Sequence, residues 1–524
     1  MATSVSIPIQ ADTADAYARL EAKILERDQV GASHIFYDLV RAGRPLAELV
    51  RETVRIHAPY THVPYHQRLD DGIVRFVNND HCLLSSRAST DLMPLVRPDL
   101  AYLPLAQTIW YIPSGLDPWN QLIGKMPGHY VRLYELKFEG KPPLPEIHWP
   151  DQEPLALEGT FPEKLNTWLT LVQRGEVINA YRAFLGLWEE SVDDDVKRTR
   201  LLAQLVFAGL IDVQDRMLYN RSYTTGHKSY RARATVQLAR RVGWRDAHQI
   251  LYAGVPDLGV GPRWYSTYEM ACLVVQNFLD ARDQDFLGND GALSPVESMA
   301  LLEALLSGDE PGYIHLIVAL LKAGKGVRQI IDTIQLGAAQ LILETGQPNN
   351  YSMPQHSYEY CNTVRWFFDT FEHPHRLKLL FVAGGFVNRA ALHQKHTPDN
   401  GPIKIEPPRA ADGLAAAPLL ERLDDSLTAL RPDESVNWTA AYLRAGFDRE
   451  PLVETLATAS AKLGNDPHNQ ELGACLLEDY AHSTAADRDR LLLASAKHTA
   501  GHRKYGDPLE AYRRFSEAFG TVAG

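Results

Sequence analysis

The chain has 524 residues, 45% of them hydrophobic and 23% charged, with a formal net charge of -12. That is the composition of an ordinary soluble globular protein with a large core. The acidity argues against a mainly electrostatic nucleic-acid binder and against docking on anionic membranes. No stretch is apolar for the length a bilayer requires, and the N-terminus lacks a basic start followed by an apolar run, so neither a spanning helix nor a signal peptide is expected. Four scattered cysteines, Cys82, Cys272, Cys361 and Cys475, fit neither a zinc knuckle nor a disulfide framework. They are expected to be reduced and buried, which places the protein in the cytoplasm.

In chain order, residues 13–52 read as helical, with Ala16, Leu20, Ile24 and Leu25 at helical spacing. A second helix is expected from about Pro45 to Ile56, and Pro59 and Pro64 should prevent it from continuing across the histidines that follow. Residues 72–84 and 129–138 are short and β-rich, and would pair as a small hairpin. The proline-rich run 141–163 predicts an extended connection. Helical periodicity returns over 164–396, breaks at a second linker, 397–418, and resumes over 419–524. The domain reading is therefore an N-terminal helical unit (1–140), a central set of helical repeats (164–396) and a C-terminal helical unit (419–524).

One pattern recurs: an apolar helix, a glycine able to end it, and a second apolar helix. It centres on Gly43, Gly324 and Gly446, with a fainter copy at Gly243. Pro64 and Gln67 stand at the same distances from Gly43 as Pro467 and Gln470 do from Gly446. Recurring helical pairs predict an all-α, solenoid-like stack of hairpins with a small β arm. Residues 376–391 align without gaps to 488–503, which sets Phe386 opposite His498 and Ala390 opposite His502. The fold does not need imidazoles at those positions, since the sister helix is apolar there.

Chemistry is sought among the histidines. His57, His62 and His66 lie close together, with His81 next and Tyr60 and Tyr65 interleaved. Neutral imidazoles are common transition-metal ligands, so the cluster is a candidate metal site; the alternative is a proline-stiffened connection with capping histidines. His498 and His502 are one helical turn apart and share a face, the spacing of a two-histidine clamp, although no Glu stands between them as in zinc proteases. His373 and His375, and His393 and His396, read as caps and surface groups. Arg221, His227, Lys228, Arg231 and Arg233 could face an anionic or quinone-like substrate, against the plainer reading of a solvated basic face. Trp264 and Tyr265 could close over a pocket or simply pack. No phosphate-binding loop, dinucleotide fingerprint, nucleophile elbow or paired ExxH motif is present.

The segments 301–334 (LLEALLSGDEPGYIHLIVALLKAGKGVRQIIDTI) and 357–386 (SYEYCNTVRWFFDTFEHPHRLKLLFVAGGF) resemble the questin oxidase-like family. The resemblance covers about a third of the chain and rests on helix patterning, so no family residue is carried over. It implies a largely helical, histidine-rich protein associated with oxidative opening of aromatic polyketide rings. The expectation is an oxidoreductase of the oxygenase type acting on a small aromatic molecule. A transition metal, iron first, is its expected cofactor, with NAD(P)H as a candidate reductant. His57, His62, His66, His498 and His502 are the candidate metal ligands, and His57, His227 and Tyr65 the candidate catalytic groups. The expected partners are a small-molecule substrate and further copies of the chain, with no nucleic acid and no membrane. Two alternatives stay open: a helical-repeat scaffold for a protein partner, and a metal-free hydrolase or lyase using His as general base.

Overall fold

A computed structural model describes residues 11–63, 74–78, 81–116, 121–124, 130–132, 151–213, 226–259, 265–279, 286–504 and 506–521. The protein is all-α, built of helical hairpins. The repeated glycines do what their positions predict. Gly446 follows the helix Pro432–Arg444 with φ +76°, and its N–H donates to the Leu443 carbonyl before Glu450–Lys462 begins. Gly43, Gly243 and Gly324 also have positive φ at the ends of their first helices. A left-handed residue closes the last turn, and only glycine enters it without a Cβ penalty. No described helix is long and apolar enough to cross a membrane.

Two local expectations need correction. The helix Leu46–Thr61 runs through Pro59 and carries His57 within it. Pro59 lies in the last turn, where its missing N–H leaves only the Arg55 carbonyl without its helical donor, a loss tolerated near a helix end. The strands β1 (His62–Val63), β2 (Val74–Asn78), β3 (Gln121–Gly124) and β4 (Tyr130–Arg132) form a small antiparallel sheet in that order. The expected hairpin between 72–84 and 129–138 does not form, because β3 lies between β2 and β4. Of the two proposed linkers, 141–150 lies outside the described residues. Residues 151–160 carry no regular element, and 397–415 carry only the short turn Arg409–Ala411.

The two ends of the chain pack together. Pro467–His482 lies along His81–Leu92, and Glu450–Lys462 and Glu510–Phe519 cover Leu103–Gly115. Gln107 Nε2 donates to the Ala461 carbonyl at 3.0 Å, and Gln470 Nε2 to the Pro104 carbonyl at 3.2 Å. Gln470, one of the residues that marked the repeat, therefore joins the terminal units. Ser352–Thr370 packs against both Pro467–His482 and His227–Val242, and the latter packs on His81–Leu92. These four helices form the centre of the molecule.

Candidate functional site

The four central helices bring their N-terminal turns to one place. His81 and His227 are the first residues of their helices, His468 the second of Pro467–His482, and His356 the fifth of Ser352–Thr370. The His81 and His468 ring centroids are 4.3 Å apart, those of His81 and His227 5.4 Å, and those of His356 and His468 6.0 Å. His227 Nε2 lies 2.8 Å from His356 Nε2. His81 Nδ1 lies 3.2 Å from both carboxylate oxygens of buried Glu471. Helix starts carry partial positive charge, so four of them together favour neutral imidazoles and nearby carboxylates.

Hydrogen bonds set two of the tautomers. His356 Nδ1 donates to the Ser352 carbonyl, which leaves the Nε2 lone pair facing His227. Burial first, then the His227 and His468 rings, hold His356 well below the usual imidazole range, so it is neutral. His468 Nδ1 donates to Asp466 Oδ1 at 2.8 Å, freeing Nε2. Burial and His81 oppose charge on His468, yet Asp466 raises it above its ordinary value. Asp466 is the N-cap of this helix and also lies 3.1 Å from His502 Nε2. Despite burial, those two histidines hold its carboxyl well below the usual range. An aspartate that fixes one ring nitrogen while the other is left to coordinate is the usual support of a metal-bound histidine.

The ligand atoms of His81, His468 and Glu471 lie within 4.8 Å of one another, as do those of Asp466, His468 and His502. The donor set, imidazoles with a carboxylate, suits zinc or non-haem iron. Neighbouring ligands on an octahedral ion at metal–nitrogen distances of about 2.1 Å stand about 3 Å apart, which the His227–His356 spacing matches. His498 Nδ1 and His502 Nδ1 are buried and have no hydrogen-bond partner among the described residues. The residues present therefore fit a metal ion.

The histidines singled out from sequence divide. His498 and His502 join the edge of this cluster, their rings stacked at 5.0 Å with 10° between planes. Burial, with His502 beside it, holds His498 well below its usual range. Phe386 and Ala390 are core residues of the sister helix; His498, aligned with Phe386, is buried likewise, and His502 partly so. His227 is central. His57 is buried with Nδ1 donating to the Thr53 carbonyl at 2.9 Å, and belongs to neither ligand group. Tyr65 and His66 lie outside the described residues, and of His62 only the strand backbone is described. Sequence reasoning missed His356, His468, Asp466 and Glu471. The signal for three of them was DPHNQE (466–471), in which His468 and Glu471 are spaced to share a helix face behind a capping aspartate.

The basic stretch is not a solvated face. Lys228 pairs with Asp212 at 2.5 Å, Arg231 with Asp257, and Arg233 with Glu478 at 2.7 Å, all three cations fully buried. Arg221 and Trp264 lie outside the described residues, and Tyr265 is partly buried against the core. His373 is not a surface cap either: it stacks on Phe207 at 4.0 Å, and burial pushes it down to about 3.

Further along the four central helices lies a layer of paired charge. Arg365 Nε donates to Asp479 at 2.6 Å, Asn362 Nδ2 donates to Asp479 at 2.8 Å, and Arg87 lies 3.4 Å from Asp91. A cavity of about 10 Å³ bordered by Glu471, Glu359, Arg87 and Arg233 separates it from the histidines, with room for one water. Comparison with protein-family models, curated proteins and solved structures finds no match.

Proposed function

We propose that the protein is a metal-dependent oxidoreductase of the oxygenase type whose ion is held by His81, His227, His356, His468 and Glu471. The observation that carries this reading is the convergence of four imidazoles, His356 buried and His81, His227 and His468 partly buried, and the buried Glu471 carboxylate from four separate helix starts. Holding so many polar side chains out of water is costly unless each finds a partner, and a cation satisfies several lone pairs at once. Asp466 orients His468, Ser352 orients His356, and burial keeps the His356 ring unprotonated. A bound redox metal would supply electron exchange with dioxygen, and a small aromatic substrate follows from the resemblance to the questin oxidase-like family. The convergence also favours an enzyme over a scaffold, which would carry its histidines on the outer surface.

The buried Asp466–His468 pair supports a second reading, a metal-free hydrolase or lyase with His468 as general base. One experiment separates the two. Purified protein is loaded anaerobically with Fe(II), and oxygen uptake is followed with a panel of hydroxylated anthraquinones and simpler phenols. Uptake that requires the metal and is lost in His468→Ala supports the oxygenase. Absence of uptake together with failure to retain any transition metal overturns it.

A further inference from the structure

A cleft lies on the far side of the charge layer. It has a volume of about 790 Å³ and opens between Asp195–Leu210, the end of His227–Val242 and the end of Ser352–Thr370. Its volume is within the range of small-molecule sites. Arg198, Arg240 and Arg241 line it together with Trp244, Trp366 and Phe371. In a chain of net charge -12, three guanidinium groups in one cleft are a local exception. Only two carboxylates line it with them. Asp195 is taken up by Arg198. Asp91 lies 3.4 Å from the buried Arg87 and only 3.9 Å from Arg241. Arg240 is exposed and has no ion-pair or hydrogen-bond partner among the described residues.

The aromatic side is prepared in the same way. The Arg233 guanidinium lies over the Trp366 ring at 5.0 Å and Arg198 over Trp244 at 5.0 Å. Both indoles are held in place while remaining partly open to the cleft. Arginine forks recognise phosphate and carboxylate oxygens, and flat rings stack on indoles. We infer that this cleft binds an anionic ligand that carries a planar ring, of the nucleoside phosphate class. Arg241 is fourteen residues beyond His227 on one helix, about 21 Å at the helical rise, so the ligand does not reach the histidine centre. The site is a separate one, and its existence does not depend on the chemistry proposed for the histidines.

Calorimetric titration of the full chain with ADP, adenosine and inorganic phosphate tests this, on metal-loaded and metal-stripped protein alike. ADP is expected to bind more tightly than either fragment and to weaken as salt is raised. Arg240→Ala and Arg241→Ala should each weaken ADP about tenfold. Arg240 has no partner to lose among the described residues, so its variant keeps the fold, as circular dichroism would verify. Lys404→Ala, in the exposed linker, should leave binding unchanged. Absence of ADP binding at about 1 mM, affinity no better than phosphate, or indifference to both arginine substitutions would overturn the proposal.

Discussion

The histidine layer and the charge layer sit on the same four helices and treat buried polarity in opposite ways. His81 and Arg87, His227 and Arg233, His356 and Asn362, and Glu471 and Glu478 each share a helix, about 9–11 Å apart along its axis. In the charge layer the geometry is closed. Arg233 and Arg365 meet Glu478 and Asp479, and Asn362 bridges both carboxylates. In the histidine layer, oxygens fix Nδ1 of His356 and of His468, and His356 Nε2 faces His227 Nε2 at 2.8 Å. A network of paired opposite charges holds helices in register; a gathering of metal-ligating donors from separate helices is what a ligand site requires.

The largest expected effect comes from breaking the charge layer. Arg365→Ala leaves Asp479 buried with its principal counter-charge gone, which should cost about 3–5 kcal/mol. Urea denaturation would measure this, and a loss below about 1 kcal/mol would mean that the layer does not clamp the helices.

Acid should separate the two kinds of buried group. His373 titrates near 6.5 when unfolded and near 3 in the fold, so below about pH 6.5 the unfolded chain binds the proton. Stability should fall by about 1.4 kcal/mol per pH unit from there, reaching roughly 3 kcal/mol at pH 4.5 from this residue alone. Glu478, held far below the ordinary carboxyl range by Arg233 and Arg365 against the cost of burial, acts in a different window. Its contribution is present above about pH 4.5 and is lost only below it. The slope of stability between pH 6.5 and 4.5 should therefore shrink in His373→Gln, and an unchanged slope would place the acid sensitivity elsewhere.

How much of this was legible depended on how local each feature is. The helical hairpins were readable because a glycine in the left-handed region is a local device, and Gly446 shows it plainly. The packing of the terminal units was not readable, since it is made by long-range contacts such as Gln107 to the Ala461 carbonyl. For the same reason the sequence pointed to histidines that are neighbours in the chain, His57, His62 and His66. The cluster actually drawn together, His81, His227, His356 and His468, is spread over nearly four hundred residues of chain. His498 and His502 were found because an internal repeat supplied a comparison. The basic face at Lys228, Arg231 and Arg233 was misread because its acidic partners, Asp212, Asp257 and Glu478, come from other elements.

The smallest effect is expected at the repeat glycines, away from both layers. Gly446→Val forces a β-branched residue to φ +76°, though the space around the added Cβ is open. The cost is then backbone strain alone, about 1–2 kcal/mol. Thermal melting should show it without any change in bound metal, and an unshifted melt would show that the turn relaxes.

The measurement that bears most directly on the central claim is the metal content of three purified proteins: the unaltered chain, His468→Ala and His57→Ala. After loading with Fe(II) or Zn(II) and removal of excess, elemental analysis should find about one ion per unaltered chain. That ion should be lost from His468→Ala and retained by His57→Ala, whose Nδ1 bonds the Thr53 carbonyl and which belongs to neither ligand group. Equal metal in all three proteins, or none in any, would contradict the assignment of the histidine cluster as a metal centre.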